Sequence, residues 1–112
     1  MVRKVIWRRG ARADVAAIKD HIARDSSLAS AEKVVTAIEQ AAEGLVDFPY
    51  RCRTIPEFGD PDRRETFVYK YRLMYRIEPR CVRILRVVHG QRLLKNVPGS
   101  FEEPAQETYG AA

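Results

Sequence analysis

The sequence predicts a small α+β domain with the element order β-α-α-β-β-β and room for an extra short strand near Cys52. Two stretches, residues 11–24 and 28–46, carry apolar side chains at helical spacing. Three later stretches are rich in β-branched and aromatic residues and are joined by connections too short for a parallel crossover. We therefore expect an antiparallel sheet packed against an amino-terminal helical hairpin.

The first predicted strand spans residues 2–7, where β-branched and aromatic residues dominate. Its alternation allows two arrangements. Either Val5 and Trp7 or Val2 and Ile6 could face the core, and the pattern leaves both open.

Two amphipathic helices are predicted next. In the first, Val15, Ile18 and Ile22 lie on one face. The second carries a longer apolar stripe, formed by Ala31, Val34, Val35, Ile38, Ala41, Ala42 and Leu45. A connection of three residues, 25–27, predicts that the helices are antiparallel, and Pro49 marks the end of the segment.

The carboxyl-terminal half is predicted to form a β-meander. Residues 51–56 are compatible with a short edge strand, whereas residues 64–68, 71–77 and 82–89 alternate or are strongly apolar. Turn residues at 59–62 and 79–80 separate them. We expect one domain over residues 1–95 and a flexible, acidic tail over residues 96–112.

Composition limits the class of protein. The chain has 112 residues and a formal charge of +5, and most of its cations are arginines, which favours an acidic protein or a nucleic acid as partner. Cys52 and Cys81 fit no metal-binding spacing and are expected to be reduced thiols. No apolar run is long enough to span a bilayer, so we expect a cytoplasmic protein without cofactor or metal.

Arginines recur along the meander. Alternation puts Arg72 and Arg76 on the face opposite Leu73, Tyr75 and Ile77, so these arginines should face outward. In the last strand the expected face partners are Arg83, Leu85, Val87 and His89 on one side and Ile84, Arg86 and Val88 on the other. The cations near strand ends, which could gather along one rim, are Arg64, Arg72, His89 and Arg92. A simpler interpretation is that arginines only keep an exposed sheet face soluble.

The order of these motifs resembles the RelE/ParE superfamily of bacterial toxins over residues 4–94. The resemblance begins in the helices with Ala13-Asp14-Val15-x-x-Ile18-x-x-x-Ile22 and with Ala31 and Ile38 seven residues apart. It continues through Phe48-Pro49, Arg53-x-x-Pro56-Glu57, Arg64-Glu65, Tyr71-Arg72-Leu73-x-Tyr75-Arg76-Ile77 and Val82-x-Ile84-Leu85-x-Val87-x-His89-x-x-Arg92.

The resemblance implies a toxin of a type II toxin–antitoxin system, neutralised by a cognate antitoxin. ParE-like members inhibit DNA gyrase by binding, whereas RelE-like members cleave mRNA on the ribosome. Here the helical sequence that often follows the last strand in RelE-like toxins is missing, and lysines are few. We therefore expect a ParE-like gyrase inhibitor rather than an enzyme, with a RelE-like ribonuclease as the alternative and a chain that has lost toxicity as a third hypothesis.

The resemblance also suggests functional residues. The expected target-binding set is Arg64, Tyr71, Arg72, Arg76, His89 and Arg92. For a ribonuclease, the catalytic set would be His89, Arg64, Arg72 and Arg92. The expected antitoxin contacts are Val15, Ile18, Ile22, Val34 and Ile38, the apolar stripe of the helical hairpin.

Overall fold

The computed structural model describes residues 3–92 and 94–97. Its regular elements, in chain order, are β1 (Lys4–Trp7), α1 (Arg9–Asp25), α2 (Leu28–Gly44), β2 (Arg53–Thr54), β3 (Arg63–Val68), β4 (Tyr71–Ile77) and β5 (Cys81–His89). Single 3₁₀ turns occupy Pro49–Arg51 and Leu94–Asn96. Val2 and most of the predicted tail, residues 98–112, lie outside the described residues. The α+β class and the element order are confirmed.

The five strands form one mixed sheet in the order β1-β5-β4-β3-β2. The predicted meander is antiparallel throughout, because β2, β3, β4 and β5 pair as antiparallel neighbours. Strand β1 instead pairs in parallel with β5, from Lys4 opposite Cys81 to Trp7 opposite Ile84. This pairing is possible because the whole helical hairpin and the meander separate the two strands in sequence.

The helices α1 and α2 cover one face of the sheet, here called the helix face. Leu73, Tyr75 and Ile77 contribute to a core there with Ile18 and Ile38, as the alternation in β4 predicts. Val5 and Trp7 also pack against this core, which decides between the two arrangements that the sequence allowed for β1. The hairpin itself turns at Ser27, whose side chain accepts a hydrogen bond from the Ser30 backbone N–H at 3.0 Å and caps α2.

A β-bulge breaks the predicted alternation of β5. Tyr75 pairs with Ile84 but Met74 pairs with Arg86, so Leu85 is an extra residue between them. After the bulge, each residue of β5 points to the face opposite the one that strict alternation predicts. Val87 therefore joins the core on the helix face together with Ile84. The prediction that Ile84 shares a face with Val88 is therefore wrong.

The opposite side of the sheet, the outer face, is covered as well. Ile55, Met74, Val88 and Val97 form a second, smaller core there. Val97 belongs to the segment predicted as a flexible tail, yet it is buried against the sheet. This smaller core forms a second layer on the outer face, and it explains why Arg72, which was predicted to face solvent, is buried.

Candidate functional site

One end of the sheet collects several of the predicted site residues. Tyr71, the first residue of β4, lies opposite His89, the last residue of β5, and their rings make an edge contact with centroids 5.9 Å apart. We call this the His89 end. A groove of about 400 Å³ opens here between the strand ends and α1, and it is lined in part by His21, Lys70, Tyr71, His89 and Arg92.

The side chain of His89 has a defined hydrogen-bonding role. Its Nδ1 accepts a hydrogen bond from the backbone N–H of Gln91 at 3.2 Å, so a neutral ring carries its proton on Nε2. The exposed Arg92 donates to the carbonyl oxygen of Asn96 at 3.3 Å. Both side chains therefore belong to the local turn after β5 and remain accessible from the groove.

Arg72 does not face outward, contrary to the sequence expectation. Its side chain is 6% exposed, and its guanidinium donates to Glu65 at 2.7 Å and to both carboxylate oxygens of Glu57 at 2.8 and 3.0 Å. The contact with Arg72 lowers the pKa of Glu57, and the same hydrogen bonds raise the pKa of Arg72. Glu65 is fully buried and also pairs with Arg53. The second layer on the outer face makes this network necessary, because a buried charge requires partners.

Arg64 is also engaged within the chain. Its guanidinium donates to the carbonyl oxygens of Pro61, Tyr50 and Cys52 at 2.8, 3.1 and 2.9 Å. It stacks over the Tyr50 ring at 5.1 Å. Because Arg64 pairs with Tyr75, it sits away from the His89 end, and the predicted gathering of four cations along one rim is wrong.

Arg76 lies towards the other end of the sheet, which we call the Glu78 end. It lies five positions after Tyr71 along β4, a distance of roughly 17 Å. It stands in register between Arg63 on β3 and Arg83 on β5, so three arginines cross three adjacent strands. The predicted target-binding residues are thus divided between two ends of the molecule and the interior.

The apolar stripe that was expected to bind an antitoxin mostly faces the sheet. Ile18 and Ile38 are 9% and 0% exposed and belong to the core. Val15, Ile22 and Val34 are partly buried against the same core. Ile18 and Ile38 are therefore structural residues and are not accessible to a partner in this conformation, because the hairpin uses its stripe to pack on the sheet.

An ion pair that the sequence did not suggest joins α1 to β5. Asp14 accepts hydrogen bonds from Arg86 at 2.7 and 2.8 Å and from the backbone N–H of Val87 at 2.8 Å. The latter contact satisfies a donor on the edge of β5, which β1 covers only as far as Ile84. Asp14 and Arg86 are 72 positions apart in the sequence, so no local signal could have revealed the pair.

Two exposed aromatic side chains at the His89 end were not among the predicted site residues. Phe67 and Tyr69 are 50% and 59% exposed. Tyr69 follows β3 and has a φ of 54°, an unusual conformation for a bulky residue. The alternation of β3 could have identified Phe67, because it falls on the face opposite the core.

Metal-binding clusters and membrane-spanning helices are both absent from the described part of the chain. No group of three or more His, Cys, Asp or Glu residues there is arranged to hold a metal ion. Neither of the described helices is long and apolar enough to cross a membrane.

Comparison with known proteins identifies relatives of the whole described domain. Residues 5–94 match the family described as the ParE toxin of the type II toxin–antitoxin system parDE. The protein named Toxin RelE2 from Caulobacter vibrioides is 33% identical over 91 residues, which are 80% of this chain and 98% of that protein.

Solved structures share the fold. A chain of the chromosomal ParDE toxin–antitoxin system from P. aeruginosa superposes with a TM-score of 0.68 at 23% identity, covering 79% of this chain and 96% of the other. A chain of the RelBE2 toxin–antitoxin complex from Mycobacterium tuberculosis gives a TM-score of 0.56 at 23% identity, with coverages of 80% and 99%. Together with the match over residues 5–94, these findings show that the chain is a toxin of a type II toxin–antitoxin system and belongs to the ParE toxin family of the RelE/ParE superfamily.

Proposed function

We propose that this toxin acts in the cytoplasm by binding and inhibiting DNA gyrase, without covalent chemistry of its own, and that a cognate antitoxin neutralises it. The observation that carries the proposal is the engagement of Arg64 and Arg72 by groups of the same chain. Both arginines belong to the catalytic set expected for a ribonuclease, which also contains His89 and Arg92.

Cleavage of RNA through its 2′-hydroxyl requires a base, an acid and cations that are free to surround the phosphate. Arg72 could reach a phosphate only by leaving Glu65, which is fully buried. Breaking a buried ion pair costs about 3–5 kcal/mol, and the binding energy of RNA would have to offset that cost. Arg64 points to carbonyl groups away from His89, so it cannot assist a reaction at that histidine.

The residues that remain accessible at the His89 end suit recognition of a protein. Phe67 and Tyr69 expose large aromatic surfaces at the end of the sheet that also carries Lys70, His89 and Arg92. Aromatic and arginine side chains are the residue types that most often dominate binding energy at protein interfaces. The match to the ParE toxin family supports the same function.

Neutralisation by an antitoxin is supported by the two structural relatives, which come from ParDE and RelBE2 toxin–antitoxin systems. Ile18 and Ile38 are buried in this conformation, whereas Val15, Ile22 and Val34 keep part of their surface exposed. An antitoxin segment would instead contact side chains that α1 and α2 leave exposed to solvent.

A RelE-like ribonuclease remains the second candidate. The 33% identity to a protein named Toxin RelE2 favours it, as does the contact between His89 and Tyr71 beside a groove that Lys70 and Arg92 also line. In that case His89 would act as an acid or base, and the two nearby cations would hold the phosphate.

Parallel assays with wild-type toxin and the His89→Ala variant separate the two functions. In a supercoiling assay with gyrase and relaxed plasmid, we expect both proteins to inhibit and the antitoxin to reverse the inhibition. Primer extension on translated mRNA should show no new cleavage sites. New cleavage sites that vanish with His89→Ala, together with unimpaired gyrase, would replace this proposal with the ribonuclease.

A further inference from the structure

The Glu78 end of the sheet carries a second groove, distinct from the one beside His89. It has a volume of about 680 Å³ and is lined by Lys4, Ile6, Glu78, Pro79, Arg80, Cys81 and Arg83. The register explains its position, because Ile6 lies opposite Arg83, and Lys4 opposite Cys81, on the outer face. The groove therefore lies where the edge strand β1 meets the β4–β5 hairpin, and we call it the hairpin groove.

Positive charge is concentrated around the hairpin groove. Lys4 and Arg80 are exposed at its rim, and Arg76 stands next to Arg83 across the β4–β5 pair. No carboxylate lies within ion-pair distance of Lys4, Arg76 or Arg80 among residues 3–92 and 94–97.

Among the described residues that line the groove, Glu78 is the single acidic one, and its carboxylate is already paired. Its carboxylate accepts hydrogen bonds from Arg83 at 2.9 and 3.1 Å and from Cys81 at 3.4 Å. The contact with Arg83 lowers the pKa of Glu78, and Cys81 and Arg76 add to the effect. The carboxylate of Glu78 is therefore paired with Arg83 and not with Lys4 or Arg80.

The floor of the groove is apolar in part. Ile6, Pro79 and Cys81 line it, and Ile6 is only partly buried although it lies on a strand. A nucleic acid backbone offers phosphates but no aliphatic side chain that could fill such a floor. An acidic peptide can supply carboxylates to the rim and an apolar side chain to the floor.

The backbone beside the groove favours an extended partner. The N–H group of Lys4 donates to the carbonyl oxygen of Arg80, just before β5, and that of Arg8 donates to the carbonyl oxygen of Ile84 in β5. Because a strand alternates the direction of its peptide groups, the N–H of Val5 points away from β5, towards the open edge of the sheet.

We propose that the hairpin groove docks an acidic, extended segment of the toxin's target, with one apolar side chain of that segment seated against Ile6. This inference rests on the proposed function and adds to it. It assigns target binding to the Glu78 end as well as to the His89 end, and it adds Lys4 and Arg80 to the expected residues.

The test uses full-length toxin, gyrase holoenzyme and the cognate antitoxin. Lys4→Glu combined with Arg80→Glu should raise the toxin concentration for half-inhibition of supercoiling at least tenfold, and Ile6→Thr about threefold. The matched control, Arg9→Glu combined with Lys19→Glu, makes the same change of net charge at exposed positions of α1. It should shift the toxin concentration for half-inhibition less than twofold. Antitoxin affinity should stay within twofold for Ile6→Thr and for Lys4→Glu combined with Arg80→Glu.

The outcomes are distinguishable. If wild-type toxin inhibits gyrase and Lys4→Glu with Arg80→Glu inhibits equally well, the inference fails and the proposed function stands. If wild-type toxin does not inhibit gyrase, both fail. Equal loss of antitoxin binding would reassign the groove to the antitoxin, and a gyrase-independent shift of plasmid DNA that the variant loses would reassign it to nucleic acid. Thermal melting, with the milder Lys4→Ala and Arg80→Ala pair, separates these outcomes from misfolding.

Discussion

Replacement of Asp14 by alanine should destabilise the fold more than any other single change of an α1 carboxylate. Asp14 holds Arg86 with two hydrogen bonds and the backbone of Val87 with a third. The two charged side chains are 14% and 9% exposed. The substitution therefore leaves a largely buried guanidinium and an edge N–H without this acceptor.

These contacts determine how much stability the Asp14→Ala variant should lose. Removing one partner of a buried ion pair costs about 3–5 kcal/mol. Both side chains keep a small exposed fraction that water can solvate, which favours the lower bound. We expect a loss of about 3 kcal/mol in the free energy of unfolding. For a chain of 112 residues, this corresponds to a decrease in Tm of about 12–15 °C.

Urea-induced unfolding provides the assay, because the single tryptophan, Trp7, packs against the core and reports its loss. The exposed Asp20 of the same helix is the control, and Asp20→Ala should change stability by less than about 0.5 kcal/mol. In an Arg86→Met background, Asp14→Ala should cost only about 1 kcal/mol, since no guanidinium loses its acceptor and only the Val87 N–H does. If Asp14→Ala is as stable as Asp20→Ala, the proposed role of the pair is refuted.

Three further changes probe the structure at separate places. Gly90→Ala should cost about 1–2 kcal/mol, because its Cβ would lie 2.8 Å from the Phe67 ring and 3.1 Å from a backbone oxygen; urea unfolding measures the loss. Tyr75→Phe should cost about 1–2 kcal/mol, since its buried hydroxyl donates to a carbonyl at 2.6 Å, and the decrease in Tm measures it. Glu78→Gln should lower the free energy of unfolding by about 1 kcal/mol at pH 6 and by less at pH 3, because the pKa of Glu78 is lowered in the folded state. The Glu78 carboxylate contributes its full stabilisation above the unfolded-state pKa of about 4.3, and this stabilisation is lost as the pH falls through the lower, folded-state pKa.

Each of these changes has its own control or contradictory outcome. A Cβ added at Gly44 would meet no atom within 4 Å, so Gly44→Ala should be neutral or stabilising by up to roughly 1 kcal/mol. Equal effects at Gly44 and Gly90 would contradict the steric argument. An unchanged Tm for Tyr75→Phe would show that water replaces the lost bond. A constant difference between wild type and Glu78→Gln from pH 6 to pH 3 would exclude the charged pair as its cause.

Local sequence patterns predicted the elements well because each element carries its own signal. The apolar stripe of Val15, Ile18 and Ile22 belongs to a single helix, and its periodicity is visible without tertiary information. The alternation in β4 likewise predicted that Leu73 and Tyr75 face the helices, where both are found. The bounds differ from those expected by only a few residues.

Features that depend on distant contacts were not predictable in this way. The bulge at Leu85 reverses the faces of β5 without any glycine or proline to signal it. The parallel pairing of β1 depends on where the chain returns after 70 residues or more. Local patterns report what a segment prefers, whereas register and strand order are set by the assembled sheet.

The predicted site was least accurate where it assumed that arginines on a sheet face are free. Arg72 alternates correctly with Leu73, but the outer face at that point is buried under Ile55 and Val97. The carboxylates that hold Arg72 come from positions 7 and 15 residues away. Glu57 and Glu65 were visible in the sequence, and the pairing of an arginine-rich strand with acidic residues in the preceding segment is the signal that could have indicated an internal network.

Gyrase-mediated DNA cleavage in the presence of wild-type toxin tests the central claim most directly. Purified toxin is incubated with gyrase and supercoiled plasmid, the reaction is stopped with detergent and protease, and linear DNA is quantified with and without antitoxin. We expect toxin-dependent linear DNA that the antitoxin suppresses. The His89→Ala variant should also produce linear DNA, but at a higher toxin concentration, because His89 belongs to the expected target-binding set. Undamaged plasmid with full supercoiling activity, accompanied by cleavage of translated mRNA that requires His89, would contradict gyrase inhibition as the function of this toxin.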